Sequence, residues 1–403
     1  MASTMHIPLD VYFTLAAAAA LLVIGQRIID RVRFLADYSI PAAVVGGLLG
    51  ALFVTALHGM SPVRIEFDRS LLSPLNVLFF TTVGLTADAR SLKKGGRALL
   101  LFLAIVVGSL FMQNIIGVVI ARLFDLHPVN GLIAGSITLA GGHGTGAAWA
   151  AKFVEERGLV NVTELALASA TFGLLIGGFA GGPLGGWLIQ RHKLAPEADT
   201  GHPTESPEVM PATITQRTLV VTLLLAFGSM ALGLAAYEAL GKGPVTLPSF
   251  IWALLVGVLV RNFCTFTRLY QVDDRTVELL GGLALSLFLA MVIMTLKLGE
   301  LLDLAGPIAV IIAVQTVAVL LYARYVTFPL MGGNYDAALL ATGQVGFAMG
   351  STATAVANMQ SVATHFGYSP LAFLLVPITG AFLIDIANAL TIQTFLLLPW
   401  FNW

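Results

Sequence analysis

Two stretches of the chain are composed to break a helix, and a third sets a carboxylate where hydrocarbon is expected. The first is GSITLAGGHGTGAAWAA over 135–151, where Gly141, Gly142, Gly144 and Gly146 enclose His143 and Thr145. A glycine costs about 1 kcal/mol relative to alanine inside a helix, so this cluster predicts a break or an unwound turn. Backbone N–H and C=O groups freed there cannot face lipid and must line protein or a wet cavity. Freed carbonyls suit a cation, and helix N-termini suit a carboxylate. Packing through small residues usually spaces glycines four apart on one helix face. Here they cluster, which favours a ligand loop. His143 is open to three roles: ligand, proton carrier or hydrogen-bonded structural residue.

The second stretch is GQVGFAMGSTATAVANMQ over 343–360. Gly343, Gly346 and Gly350 loosen it, while Ser351, Thr352, Thr354 and Asn358 supply small oxygen ligands. Thr354 and Asn358 are spaced to share a helix face. Hydroxyl and amide oxygens beside free carbonyls suit a hard monovalent cation. The absence of a His, Cys and carboxylate cluster argues against a transition metal. The third feature is Asp385 in PITGAFLIDIANAL, near the middle of the last apolar stretch. An ionisable group at such depth is costly and is a functional-site hypothesis by default, with Asn388 one turn on as its nearest polar partner. Gln113, Asn114 and Gln315 are further amides in apolar surroundings, of a kind that often only joins helices.

The elements that must carry these groups are membrane spans. Of 403 residues, 57% are hydrophobic and 11% charged, where soluble domains are about a quarter charged. Apolar stretches long enough to cross about 30 Å of hydrocarbon fall at 11–29, 41–58, 72–87, 98–123 and 163–189, then at 216–240, 247–266, 277–297, 303–329 and 370–398. The first lacks a basic leader and a cleavage site, so it reads as a retained span and not a signal peptide. Basic and acidic residues nearly balance, 21 against 22, so nothing suggests a nucleic-acid partner. The single cysteine, Cys264, excludes an internal disulfide and a cysteine-rich metal site.

With ten crossings and the N-terminus outside, 14 of the 21 Lys and Arg residues fall on the cytoplasmic side, as the positive-inside rule requires. Both termini are then periplasmic, and the two glycine-rich stretches must re-enter without crossing. The halves also resemble each other. PAAVVGGLLGALF from Pro41 matches PSFIWALLVGVLV from Pro248, LFFTTVGL at 78–85 matches LFLAMVIM at 287–294, and Gln113 matches Gln315, at offsets of 207, 209 and 202 residues. Five crossings per half invert the second against the first. The expected organisation is an N-terminal half over 1–189, a cytoplasmic proline-rich linker over 190–217 and a C-terminal half over 218–403. The fold class expected is therefore all-α integral membrane, two inverted repeats of five spans, each with a re-entrant glycine-rich loop.

Phosphate loops, dinucleotide fingerprints, GxSxG elbows and HExxH pairs are all lacking, so this is not read as an enzyme, and transport must draw on an ion gradient. With GSITLAGGHGTGAAW at 135–149 and GSTATAVANMQ at 350–360 the sequence resembles the bacterial sodium/glutamate symporter family. Further matches are FFTTVGL at 79–85, GGRALLLFLAIVVGSLFMQNIIG at 95–117, ALSLFLAM at 284–291, GGNYDAALLA at 332–341 and VPITGAFLIDIANAL at 376–390. The second stretch departs in having GQVG at 343–346 as its only counterpart to GGHG.

The resemblance implies sodium-coupled uptake of L-glutamate across the bacterial inner membrane, with no cofactor, by a homodimer working through an elevator-like alternation. The candidate substrate residues are Gly141, Gly142, His143, Gly144, Thr145, Gly146, Gly350, Ser351 and Thr352; those for sodium are Thr354, Asn358, Asp385, Asn388 and Gln113. A symporter of another small carboxylate is the alternative, and an ion channel with re-entrant filter loops is a further one.

Overall fold

The computed structural model describes residues 5–33, 35, 40–196, 214–240, 247–296 and 298–401. Short strands β1 (Met5–Pro8) and β2 (Val63–Glu66) pair in parallel. The helices of the first half are α1 (Val11–Ile29), α2 (Ala42–Met60), α3 (Leu72–Thr86), α4 (Ala89–Leu123), α5 (Pro128–Leu132), α6 (Gly142–Arg157) and α7 (Val162–His192). Those of the second are α8 (Gln216–Leu240), α9 (Ser249–Thr267), α10 (Asp274–Ile293), α11 (Leu298–Tyr322), α12 (Phe328–Leu330), α13 (Tyr335–Ala348), α14 (Thr352–Phe366), α15 (Pro370–Ile378) and α16 (Ile384–Leu396). Three five-residue π-turns, Ile133–Ile137, Ala323–Thr327 and Thr379–Leu383, interrupt this series. Local chemistry sets many of the helix starts: Asp10, Asp273, Asn334, Ser351 and Ser369 each accept a backbone N–H of the first turn through the side chain, satisfying a donor the helix itself cannot.

The helices pack in two groups, and each group draws on both halves of the chain. In the first, α3 lies between α9 and α10, with α2 and α1 on the far side of α10 and α8 behind α9. Gly84 of α3 abuts the Leu254 carbonyl, and a Cβ on Gly257 would stand 2.7 Å from the Thr81 carbonyl. These close backbone approaches are the membrane form of helix adhesion, where small residues replace the hydrophobic effect. Thr81, Thr82 and Thr86 donate to carbonyls of their own helix. In the second group α7 packs on α6, α11, α13 and α14, while α4 packs on α5, α11, α15 and α16.

The chain passes from the first group to the second through α4. Gly96 leaves helical geometry there (φ 50°, ψ −140°), a conformation readily open only to glycine, so the apolar span begins beyond it. The far side of this passage is clamped: Ala89 N donates to Asn262 Oδ1 at 2.8 Å, and Asn262 Nδ2 donates to the Ala87 carbonyl at 2.9 Å. Arg261 beside it pairs with Asp274 at 2.5 Å and with Asp88 at 3.7 Å.

Of the ten expected crossings, eight described helices are long and apolar enough to span. The stretch at 72–87 forms a helix of only 15 residues, about 22 Å at 1.5 Å per residue. It is largely enclosed by α9 and α10 and needs no lipid-matched length. The stretch at 370–398 is α15 and α16 joined by a π-turn. Residues 197–213 of the expected linker, Lys242, Lys297 and both chain ends lie outside the described residues.

Candidate functional site

Both glycine-rich stretches fold as hairpins of two short helices. In the first, α5 and its π-turn lead through Thr138–Gly141 into α6; in the second, α13 leads through Met349–Ser351 into α14. The break in the first falls at Gly142, whose φ of 68° lies in the left-handed region, where a side chain costs about 1–2 kcal/mol. The two tips meet: a Cβ built on Gly142 would lie 3.5 Å from the Gly350 carbonyl oxygen. The first turns of α6 and α14 therefore stand side by side. Each helix start carries unpaired N–H groups and the positive end of its dipole, a combination suited to anions. Gly141, Gly142, Ser351 and Thr352 remain partly accessible, whereas Gly350 is buried.

The last span meets both hairpins at its π-turn. Thr352 Oγ1 donates to the Gly380 carbonyl at 2.7 Å, taking up an oxygen that a π-turn displaces from helical bonding. Further along the span, Asp385 lies beside Thr145 of α6 and is neither fully buried nor exposed. Ser351 caps α14, accepting from Thr354 N at 3.2 Å, and its hydroxyl stands 3.0 Å from Thr354 Oγ1. Tips, hydroxyls and carboxylate thus form one polar locus inside the second helix group, where a carboxylate ligand and a monovalent cation could both find partners.

The remaining sequence-stretch residues are placed around this locus. His143 turns to α7, with Nε2 3.0 Å from Thr171 Oγ1. A Cβ on Gly144 would stand 3.0 Å from Phe79 and 3.1 Å from Leu285, so this glycine faces the first helix group. Gly146 packs against Thr138. Gly343 and Gly346 lie within α13, and Gly346 abuts the backbone of Ala355 across the hairpin. The clustered glycines therefore divide: Gly141, Gly142 and Gly350 belong to the turns, and the others permit close packing. Asn358 Nδ2 donates to the Gly177 carbonyl at 2.8 Å. Asn388 exchanges bonds with Ser136, through Oδ1 at 2.6 Å and Nδ2 at 2.9 Å, and Asn114 Oδ1 accepts from Ser136 N. Gln113 Nε2 donates to the Ala348 carbonyl at 2.8 Å, just below the second tip.

Gly380, Thr171, Ser136 and Met349 border the site without being singled out by the sequence. The PITG run before Asp385, proline then glycine inside an apolar span, was the available signal for the broken last span. Hydroxyls bonded to a hairpin leave no such mark.

The sodium/glutamate symporter family model matches residues 7–368. The chain is 47% identical to the sodium/glutamate symporters of Escherichia coli K12 and of Shigella flexneri over 398 residues, 98% of this chain and 99% of each relative. It is 40% identical to that of Haemophilus influenzae over 96% of both chains.

Proposed function

The chain belongs to the sodium/glutamate symporter family, and from that premise we propose that it couples L-glutamate uptake to sodium entry across the bacterial inner membrane. The observation that carries the reading is the meeting of the Gly142 and Gly350 tips beside Thr145 and Asp385. The substrate carboxylates bind the amide-rich turns Gly141–Gly142 and Gly350–Thr352. Sodium binds freed carbonyls and hydroxyls, with Thr354 and Asp385 as the side-chain ligands closest to the tips. The family's other named proteins are symporters, not enzymes.

The hairpins re-enter from opposite faces, and the two halves are inverted repeats. A pair of contacts supports this: His143 with Thr171, and Thr352 with Gly380, are related by the same shift of 209 residues at both ends. Alternation moves the hairpin-bearing group of helices past the group around α3, α9 and α10 in an elevator-like stroke. Gly96 serves as a hinge, the protein works as a homodimer, and both termini face the periplasm. Purified protein in proteoliposomes should accumulate labelled glutamate only under an inward sodium gradient, with aspartate and citrate as competitors. Uptake that ignores sodium, or ohmic current without substrate, would overturn the symporter reading.

A further inference from the structure

Two amide oxygens are stranded where α4 crosses α11. Gln113 and Gln315 are both completely buried. Gln315 Nε2 donates to the Gln113 backbone carbonyl at 2.6 Å, and Gln113 Nε2 donates to the Ala348 carbonyl at 2.8 Å. Because each nitrogen faces a carbonyl, the identities of the amide atoms are fixed by their partners and a flipped amide would set oxygen against oxygen. What remains on the other side of each group is an acceptor. Gln113 Oε1 and Gln315 Oε1 have no hydrogen-bond partner and no solvent contact.

Buried polar groups are nearly always satisfied, and none is more costly to leave open than one in the hydrocarbon layer. A pair of acceptors without a donor calls for a cation or a water. Amide oxygens are hard, neutral ligands, the type that sodium takes in preference to soft metals. The Ala348 carbonyl, which ends its helix and receives the Gln113 amide proton, keeps a second lone pair beside Gln113. Asn114, the next residue, binds Ser136 and leaves a donor open, not an acceptor, so it is outside the ligand set.

We propose that Gln113 Oε1 and Gln315 Oε1 ligate a monovalent cation at the crossing of α4 and α11, separate from the Thr145–Asp385 pair. This rests on the sodium-coupled reading and deepens it: the second hairpin is held to α4 through Ala348, so a cation on Gln113 stiffens the support of that tip. Ion occupancy and hairpin position are linked through one side chain.

The test is thermal melting of the full-length protein in lipid nanodiscs as NaCl replaces choline chloride at constant ionic strength. A ligand that binds the folded state raises the melting temperature with a saturating midpoint. The expected result for Gln315→Met is a sodium midpoint raised about tenfold or more, the usual effect of losing a metal-supporting group. Gln315→Glu, which keeps an oxygen at the site, should hold the midpoint at or below that of the unmodified protein. A buried water, or a structural amide, would lower stability in choline while leaving the sodium midpoint in place, and that outcome would overturn the proposal. Should Gln315→Met not fold, an increased midpoint in Gln315→Glu serves equally to overturn it. If the unmodified protein shows neither sodium-dependent melting nor sodium-dependent uptake, the symporter reading itself fails, which is a distinguishable result.

Discussion

Thr145 stands beside Asp385, so a hydroxyl from the start of α6 faces a carboxylate of the last span. The first hairpin and the last span thereby meet at one polar contact.

Asp385→Asn should raise the sodium concentration for half-maximal uptake by about tenfold or more, and Thr145→Ala by less, with the double variant close to Asp385→Asn alone. Uptake assays over a sodium series measure this. An unchanged sodium dependence in Asp385→Asn removes Asp385 from the ion site.

Gly142 and Gly144 should respond differently to a methyl group. Gly142→Ala forces a left-handed backbone at about 1–2 kcal/mol at the point where the first tip meets Gly350, so it should weaken apparent glutamate affinity. Gly144→Ala presses on Phe79 and Leu285 of the other helix group and should lower the maximal rate with little change in affinity. Glutamate titrations of both variants, normalised to protein in the membrane, decide; identical behaviour would remove the distinction.

Much of the frame was legible beforehand because hydrocarbon imposes length and apolarity on a span. Val11–Ile29 and Gln216–Leu240 fall where hydropathy alone set them. Gly142 and Gly350 could be found because glycine clusters betray non-helical backbone. Gly144, Gly146 and Gly346 could not be told apart from them, because a glycine that stands against a neighbouring element has the same letter as one that turns the chain. The extent of α3 was legible to within a residue, 72–87 against Leu72–Thr86; that protein and not lipid surrounds it was hidden, since an apolar stretch reads the same in either setting. Hydrogen bonds such as Asn388 to Ser136 join residues 252 positions apart, and no local pattern encodes that pairing.

Arg261→Met should destabilise the fold by about 2 kcal/mol, below the cost of breaking a fully buried pair because Asp274 is half exposed. Arg261 also donates to the Val272 carbonyl, so α9, α10 and the Asp88 turn all lose an anchor. Thermal unfolding in detergent is the readout, with Arg261→Lys recovering only part of the loss. A melting temperature equal to that of the unmodified protein would show the pair to be dispensable.

His127 predicts a pH dependence at the opposite end of α4. Its Nδ1 accepts from Val129 N at 3.2 Å and so caps α5 in the neutral form. Burial, then the guanidiniums of Arg157 and Arg122, hold its pKa below the ordinary 6.5. The unfolded chain then binds a proton below pH 6.5 that the folded one refuses, so this contribution is complete above 6.5 and declines as pH falls from there toward the folded value. Melting temperatures between pH 7.5 and 5.5 should fall more steeply for the unmodified protein than for His127→Asn, which keeps a capping group without the titration. Equal slopes would place the acid sensitivity elsewhere.

The placement of α3 between α9 and α10 has a consequence for biosynthesis. A ribosome delivers α3 into the bilayer long before its two neighbours exist, so Asn76, Thr81 and Thr82, all buried in the finished protein, must wait among lipids or translocation factors. Neither half can complete its packing alone. Two fragments divided within 197–213 should insert separately yet reach a protease-resistant state only when made together, and the interval before α9 and α10 arrive is when a nascent chain is most open to degradation.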